Sequence, residues 1–359
     1  MWFPTVRSSR GEGATDDEQQ QRRSGDGSGG QHGSSSVTAA RSDSRRTDCC
    51  CSPLSMELLA AAAAGCGVAA RPPANESRIV GGTPTDIDQW PWQVSLHHRR
   101  PSSGAPGRRL CAASLVSASW LLTAAHCLLD PAATDGAGRL LPAGLWLACR
   151  AGKCVRLRRL AVHARFQRHN YTHDVALAEL VQPLPQPAAP ICLPLSSGGS
   201  GAVGRRCVIT GWGARRPLVG RAPQLHQAAL PVLPWDLCRR AYPWAAALRR
   251  WLLCAGLWKG GRGPCHGDSG GPLQCQRSDG RWQLSGLVSW GAGCGRPGRP
   301  AVFVRVAAYR RWIRDTTKRL QHRNQATPRD RDHWPQDAVR EHGTGRPLFS
   351  VLSFHAFVP

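Results

Sequence analysis

Apolar and polar positions divide the chain into zones of different character. Residues 1 to 48 are rich in Ser, Gly, Arg, Gln and Asp with few aliphatics. Such a stretch buries too little apolar surface to repay chain entropy, so the extension over 1–55 is predicted to be disordered. "MELLAAAAAGCG" from Met56 is a short apolar run behind Arg45 and Arg46. It has the look of a weak signal sequence, yet it lies far from the N-terminus, as an extended start or a mispredicted first exon would place it. Residues 56–78 are therefore read as a signal remnant and propeptide. From Ile79 the pattern changes to short apolar runs; "DVALAEL", for example, opens on Asp174 and alternates in the manner of a strand. The span 79–318 is long enough for a single all-β domain. Beyond it, 319–359 is a basic tail predicted to be disordered, ending in "PLFSVLSFHAFVP", which is too short to span a bilayer. No transmembrane helix and no internal repeat is predicted.

Candidate chemistry begins with "RGPCHGDSGGP", residues 262 to 272. A G-x-S-x-G alone is weak, because Gly and Ser suit any tight turn. A nucleophilic serine also needs a base to take its proton and a carboxylate to orient that base. The chain offers both: His126 in "LLTAAHC" and Asp174 in "NYTHDVALAEL". Their order of His, Asp, Ser differs from the Ser, Asp, His order of the α/β-hydrolases, whose elbow also reads G-x-S-x-G.

"RIVGG", "WPWQVSL", "LLTAAHC", "DVALAEL", "CVITGWG", "GDSGGP" and "VSWGAGCG" follow one another from Arg78 to Gly295. This array resembles the chymotrypsin-like serine proteases, in the two-chain type with a disulfide-tethered propeptide. The resemblance implies an all-β fold of two six-stranded antiparallel Greek-key barrels with a C-terminal helix. It also implies roles. Ser269 would be the nucleophile, His126 its base and Asp174 the residue that orients the base, with the N–H groups of Gly267 and Ser269 as oxyanion hole. Ser289 would hydrogen-bond the buried aspartate, and Ser289, Trp290 and Gly291 would form the edge strand that pairs with substrate. Cleavage after Arg78 would free the amine of Ile79 to pair with Asp268. No cofactor and no metal is implied. His97, His98 and His163 are read as surface or structural groups.

The residue six before the nucleophile, which floors the primary pocket in this family, is Gly263. Gly291 and Ala301 fall on its walls. No acid stands where a basic side chain would need one, so an apolar preference (Leu, Met, Phe or Tyr) is expected, and an enzyme of that preference would need a separate trypsin-like activator. In a rival arrangement Arg296 or Arg299 leans into the slot and favours acidic residues. One departure from the family stands out: "CAAS", Cys111 to Ser114, replaces the usual C-G-G-S. Two added methyls beside the serine loop could crowd it, and overpacking typically costs about 1 to 3 kcal/mol.

Fifteen cysteines point to an oxidising compartment and a secreted protein. The resemblance implies the pairs Cys111 with Cys127, Cys207 with Cys275, Cys238 with Cys254, Cys265 with Cys294, and Cys66 with Cys192. Cys149 and Cys154 flank "RAGK", either bonded across a hairpin turn or both free, and Cys49, Cys50 and Cys51 remain unassigned. Asn75 and Asn170 head glycosylation sequons. Between Ile79 and Asp315 there are 31 Lys plus Arg against 10 Asp plus Glu. Such a surplus serves solubility or adhesion to glycosaminoglycans and other polyanions. No nucleic-acid motif accompanies it. The expected partners are thus protein or peptide substrates, the activating protease, serpin-type inhibitors and glycosaminoglycans. The alternative function is a catalytically weak, strongly basic binding module on the same fold.

Overall fold

Fourteen tryptophans are spread along the chain, and two of the fully buried ones, Trp90 and Trp92, bring its two halves together. The computed structural model describes residues 65–69, 82–100, 102–130, 139–195, 202–213 and 222–325. All of these fall within one compact unit. Strands β1 (Thr83–Pro84), β2 (Gln93–Arg99), β3 (Pro106–Leu115), β4 (Trp120–Thr123), β5 (Trp146–Arg150), β6 (Lys153–Val162) and β7 (Ala176–Leu180) make up the first half. The second half holds β8 (Arg206–Gly211), β9 (His226–Pro231), helix α1 (Trp235–Ala241), β10 (Leu252–Ala255), β11 (Pro272–Gln276), β12 (Trp282–Trp290), β13 (Ala301–Arg305) and helix α2 (Arg310–Gln325).

The first half closes as a six-stranded barrel in the order β2-β3-β4-β7-β6-β5. The second is a seven-stranded sheet, β1-β9-β8-β11-β12-β13-β10, because the two-residue β1 adds itself to the edge of β9. A bridge from Val232 to Ala255 brings the chain beyond β9 against β10, so the six strands β8 to β13 curl back on themselves. All pairings between named strands are antiparallel.

One apolar cluster spans the seam between the halves. Trp90 meets Trp92 and Trp282 edge to face, at 5.9 and 4.9 Å, geometries that aromatic quadrupoles favour. Burying an indole N–H without a partner is costly, and here two buried glutamines of the second sheet accept. Trp90 donates to Gln227 at 3.0 Å and Trp92 to Gln274 at 2.5 Å. The same logic modifies the alternation seen in "ALAEL". All five residues of β7 are buried, and Glu179 is tolerated there because Arg159 donates to it at 2.6 Å. Helix α2 lays Ile313, Thr316 and Thr317 inward, a spacing that puts them on one face. It continues to Gln325, seven residues past the boundary expected at 318.

Among the described residues, six disulfides cross this scaffold: Cys66–Cys192, Cys111–Cys127, Cys149–Cys154, Cys207–Cys275, Cys238–Cys254 and Cys265–Cys294. The Cys149–Cys154 bond lies directly across the β5–β6 ladder, which settles the alternative left open by "RAGK". Cys49, Cys50, Cys51 and Asn75 lie outside the described residues.

Candidate functional site

His126 sits in a one-turn 3₁₀ segment, Ala125–Leu128, just past β4, and Asp174 lies two residues before β7. Because β4 and β7 are hydrogen-bonded neighbours with Thr123 opposite Ala176, the barrel brings the two side chains together across 48 residues of sequence. Asp174 is fully buried. One carboxylate oxygen accepts the backbone N–H of His126 at 2.9 Å, and the other lies 2.8 Å from its ring Nδ1. That second oxygen also accepts the hydroxyl of Ser289, at the end of β12. A carboxylate taken out of water needs such donors, and this one has three.

Ser269 stands in the loop before β11 and is 4% exposed. The loop is set by its backbone. The Ala112 N–H donates to the Ser269 carbonyl at 2.8 Å, and Gly270 N–H to Val288 at 2.8 Å. Gly267 and Gly270 have φ of 97° and 73°, values that L side chains seldom adopt. No described backbone carbonyl accepts the N–H of Gly267 or of Ser269.

Asp268 points away from Ser269 into a buried niche, where it accepts from Gly213 N–H at 2.7 Å and Cys265 N–H at 2.9 Å. The niche exists because two residues lack a side chain: a Cβ on Gly211 or Gly213 would come within 1.9 or 2.3 Å of its carboxylate. Nearby, burial lowers the Arg109 pKa while Asp268 partly restores it. Arg78 and Ile79 lie outside the described residues.

The two methyls of "CAAS" fit. Ala112 and Ala113 are both fully buried. The Ala112 methyl lies over Gly271, where a Cβ would stand only 3.3 Å from it, so the glycine beyond the serine makes the room.

Of the residues expected to shape the primary pocket, Gly291 follows β12 directly and Ala301 opens β13. Gly263 packs on Gly295, with only 3.3 Å between its Cβ position and the Gly295 nitrogen, and the Cys265–Cys294 bond ties these segments together. Tyr242, which the sequence reading passed over, ties down the chain neighbours of Ala301 and Gly291: its hydroxyl donates to Pro300 at 2.8 Å and accepts from Ala292 N–H at 3.2 Å. Burial pushes its pKa up, which keeps it a donor. The two arginines of the rival arrangement have partners elsewhere. Arg299 donates to the Ala241 carbonyl and lies over the Tyr242 ring, Arg296 lies along Gly293, and both are exposed.

Two further aromatics pack against the expected site residues. Trp244, 42% exposed, stacks on Trp290 at 4.7 Å. Tyr171 meets His126 edge to face at 5.4 Å, and burial first, then Asp174, raises its pKa to about 12. Tyr171 hides in a sequence reading because "NYT" draws attention to Asn170. That asparagine closes a local turn, accepting from Thr172 N–H at 3.0 Å. His97 bonds Ser95 and the Gly107 carbonyl, and His98 packs on Trp146, as structural groups do. Cys111, His126 and Cys127 also lie close together, but the two cysteines are bonded to each other and so offer no thiolate to a metal.

These features together define a trypsin-like serine protease domain, and residues 79–313 match the family model described as Trypsin. The chain belongs to that family. It is 42% identical over 250 residues to transmembrane protease serine 9 of Rattus norvegicus, covering 69% of this chain and 22% of the relative. To transmembrane protease serine 7 of Mus musculus it is 38% identical over 242 residues, covering 66% and 28%. Transmembrane protease serine 11E of Mus musculus is 37% identical over 248 residues, covering 67% and 55%. The chain thus spans about a quarter of the length of the first two relatives. Among the described residues no helix is long and apolar enough to cross a membrane.

Proposed function

We propose that this chain is an extracellular serine endopeptidase, either secreted or displayed at a membrane, that acts through Ser269, His126 and Asp174. The observation that carries this reading is the double grip of Asp174 on His126, at 2.9 Å to the backbone and 2.8 Å to the ring. It fixes the tautomer with Nδ1 protonated, leaving Nε2 to accept a proton. His126 takes the Ser269 proton as the hydroxyl attacks the scissile carbonyl. The tetrahedral oxyanion is held by the N–H groups of Gly267 and Ser269, one such donor being worth about 2.7 to 4 kcal/mol. His126 then protonates the leaving amine, and water releases the acyl group from Ser269 by the same route. Substrate backbone adds to the edge presented by Ser289, Trp290 and Gly291.

Activation is by cleavage after Arg78. The freed ammonium of Ile79 pairs with Asp268, a buried carboxylate whose charged form is favoured by two backbone N–H donors and needs a counter-charge. The primary pocket, floored by Gly263 and walled by Gly291 and Ala301, takes apolar residues. An arginine there would be desolvated without a counter-charge. Exposed arginines of α2, such as Arg310, Arg311, Arg314 and Arg319, support glycosaminoglycan binding as a second role. Serpin-type inhibitors and an activating trypsin-like protease are the expected protein partners.

The test is a peptide-library profile of the trypsin-activated chain. Cleavage after Leu, Met, Phe or Tyr is expected, and Gly263→Asp should move preference toward Arg and Lys. A profile dominated by Arg and Lys in the unmodified chain would overturn the apolar pocket, and one dominated by Asp or Glu would put Arg296 or Arg299 in control.

A further inference from the structure

Asp174 is held from behind by groups that play no part in the chemistry above. It lies in a turn where Tyr171 and His173 both have φ of 54°, a left-handed conformation that side chains with a Cβ adopt only when their surroundings over-determine it. His173 supplies much of that determination. Its ring stacks on His163 at 4.7 Å with planes 11° apart, its Nδ1 lies 3.0 Å from the Tyr309 hydroxyl, and Trp251 closes the other side at 4.7 Å. His163 in turn packs on Trp312 at 5.3 Å and Tyr309 at 5.4 Å. Its backbone N–H donates to the Val175 carbonyl at 3.1 Å, so the pair grips the residues on both sides of Asp174.

The surroundings suit two neutral rings and not two charged ones. Arg165 and Arg168 approach from the same loop, and Arg250 lies over Trp251 at 5.0 Å. Tyr171 and Tyr309 are held as neutral phenols. Asp174 is already engaged by His126 and Ser289, and among the described residues neither imidazole has a carboxylate partner. A second positive charge 4.7 Å from the first would find no carboxylate partner of its own among the described residues.

We propose that His163 and His173 form a clasp that positions Asp174, closed while both rings are neutral and released by acid. On release the turn carrying Tyr171 and Asp174 relaxes, and His126 loses its orientation. His173 is a positioning residue, because it acts through Asp174 and touches no reacting atom.

The proton balance supports this direction. Burial first, then His173 and Arg165, hold the His163 pKa at about 4, and burial and Arg165 lower that of His173. An opened turn returns each ring toward its ordinary value near 6.5. As pH falls below about 6.5 the open form therefore binds more protons, for His163 down to about pH 4, and each ring so engaged favours it by up to about tenfold per pH unit. The loss of activity in acid should thus involve more than one proton.

The test uses the trypsin-activated full chain and its rate of labelling by a fluorophosphonate from pH 4 to pH 8. Tryptophan fluorescence is followed over the same range, because Trp251 and Trp312 touch the two rings. The parent should lose labelling with a slope above one on logarithmic axes, together with a fluorescence transition. His163→Phe keeps a ring in the stack and removes one proton. Its slope should fall by about one, its relative activity at pH 5 should rise several-fold, and its fluorescence transition should shrink. His163→Gln, which is smaller and equally neutral, serves if the phenylalanine does not fold. An unchanged slope and unchanged fluorescence in a folded variant would overturn the clasp. The idea rests on Ser269 being the nucleophile, and absence of labelling at pH 8 would count against that reading instead, with the fluorescence titration still deciding the clasp.

Discussion

Ser269 and Asp174, the two ends of the proposed triad, are held by opposite means. On the serine side the loop is shaped by backbone hydrogen bonds and by missing side chains: Gly267 and Gly270 at positive φ, Gly211 and Gly213 under the Asp268 carboxylate, Gly271 under Ala112. On the aspartate side the hold comes from side chains, with Ser289 on one oxygen and a stack of His163, His173, Tyr309, Trp251 and Trp312 behind. Backbone scaffolding does not titrate, whereas imidazoles do. The serine side should therefore be brittle toward added atoms and indifferent to mild acid, and the aspartate side should show the reverse.

The largest expected effect removes the one group both sides serve. Ser269→Ala should lower peptide hydrolysis on the order of 10⁶-fold, as loss of a triad serine does elsewhere. Secretion and thermal unfolding should stay close to the parent, since only a hydroxyl is lost. Hydrolysis equal to the parent after trypsin treatment would refute the enzyme reading altogether.

Next is the brittleness of the serine side. Gly211→Ala would place a Cβ 1.9 Å from an Asp268 oxygen, and Asp268 would have to leave its two N–H donors. Breaking the partnership of a buried charge costs about 3 to 5 kcal/mol. With Asp268 displaced the Gly267 donor is misplaced too, and labelling by a fluorophosphonate should fall about 10²-fold or more. Gly144→Ala is the control, since its Cβ would meet nothing within 4 Å. It should change stability by no more than about 0.5 kcal/mol. Equal behaviour of the two variants in denaturant unfolding would show that Asp268 moves freely.

This contrast also explains what could be read from the chain. Glycines that exist to admit backbone or carboxylate are fixed in sequence position, so "GDSGGP" and "CVITGWG" announce the serine side as short motifs. The barrel strand headed by Asp174 was legible for a related reason, because its apolar run is local. The aspartate side is assembled from residues 163, 173, 251, 309 and 312, whose proximity depends on how β6, β10 and α2 pack. No local pattern marks such a cluster. His163 reads as an ordinary histidine, and His173 disappears between a sequon and an aspartate. Tyr242 was missed likewise, because its two partners, Ala292 and Pro300, lie 50 and 58 residues away. The short β1 on the second sheet was beyond reach too, since two residues carry no periodicity.

The smallest effect probes the aspartate side without touching its packing. Tyr309→Phe keeps the ring against His163, His173 and Trp251, at 5.4, 5.8 and 5.7 Å, and deletes only the hydroxyl that meets His173 Nδ1 at 3.0 Å. Loss of one buried hydrogen bond costs about 1 kcal/mol, which for a domain of this size lowers the melting temperature by about 2 to 4 °C. The pH course of that deficit reads the tautomer. If the phenol donates to Nδ1, the bond vanishes when His173 is protonated, so the deficit is full above about pH 6.5 and shrinks as pH falls. A phenol that accepts from Nδ1–H keeps its bond to the imidazolium, and the deficit then persists into acid. A Tyr309→Phe protein as stable as the parent at pH 8 would mean that the hydroxyl contributes nothing, and that stacking against His163 and Trp251 alone holds the turn beneath Asp174.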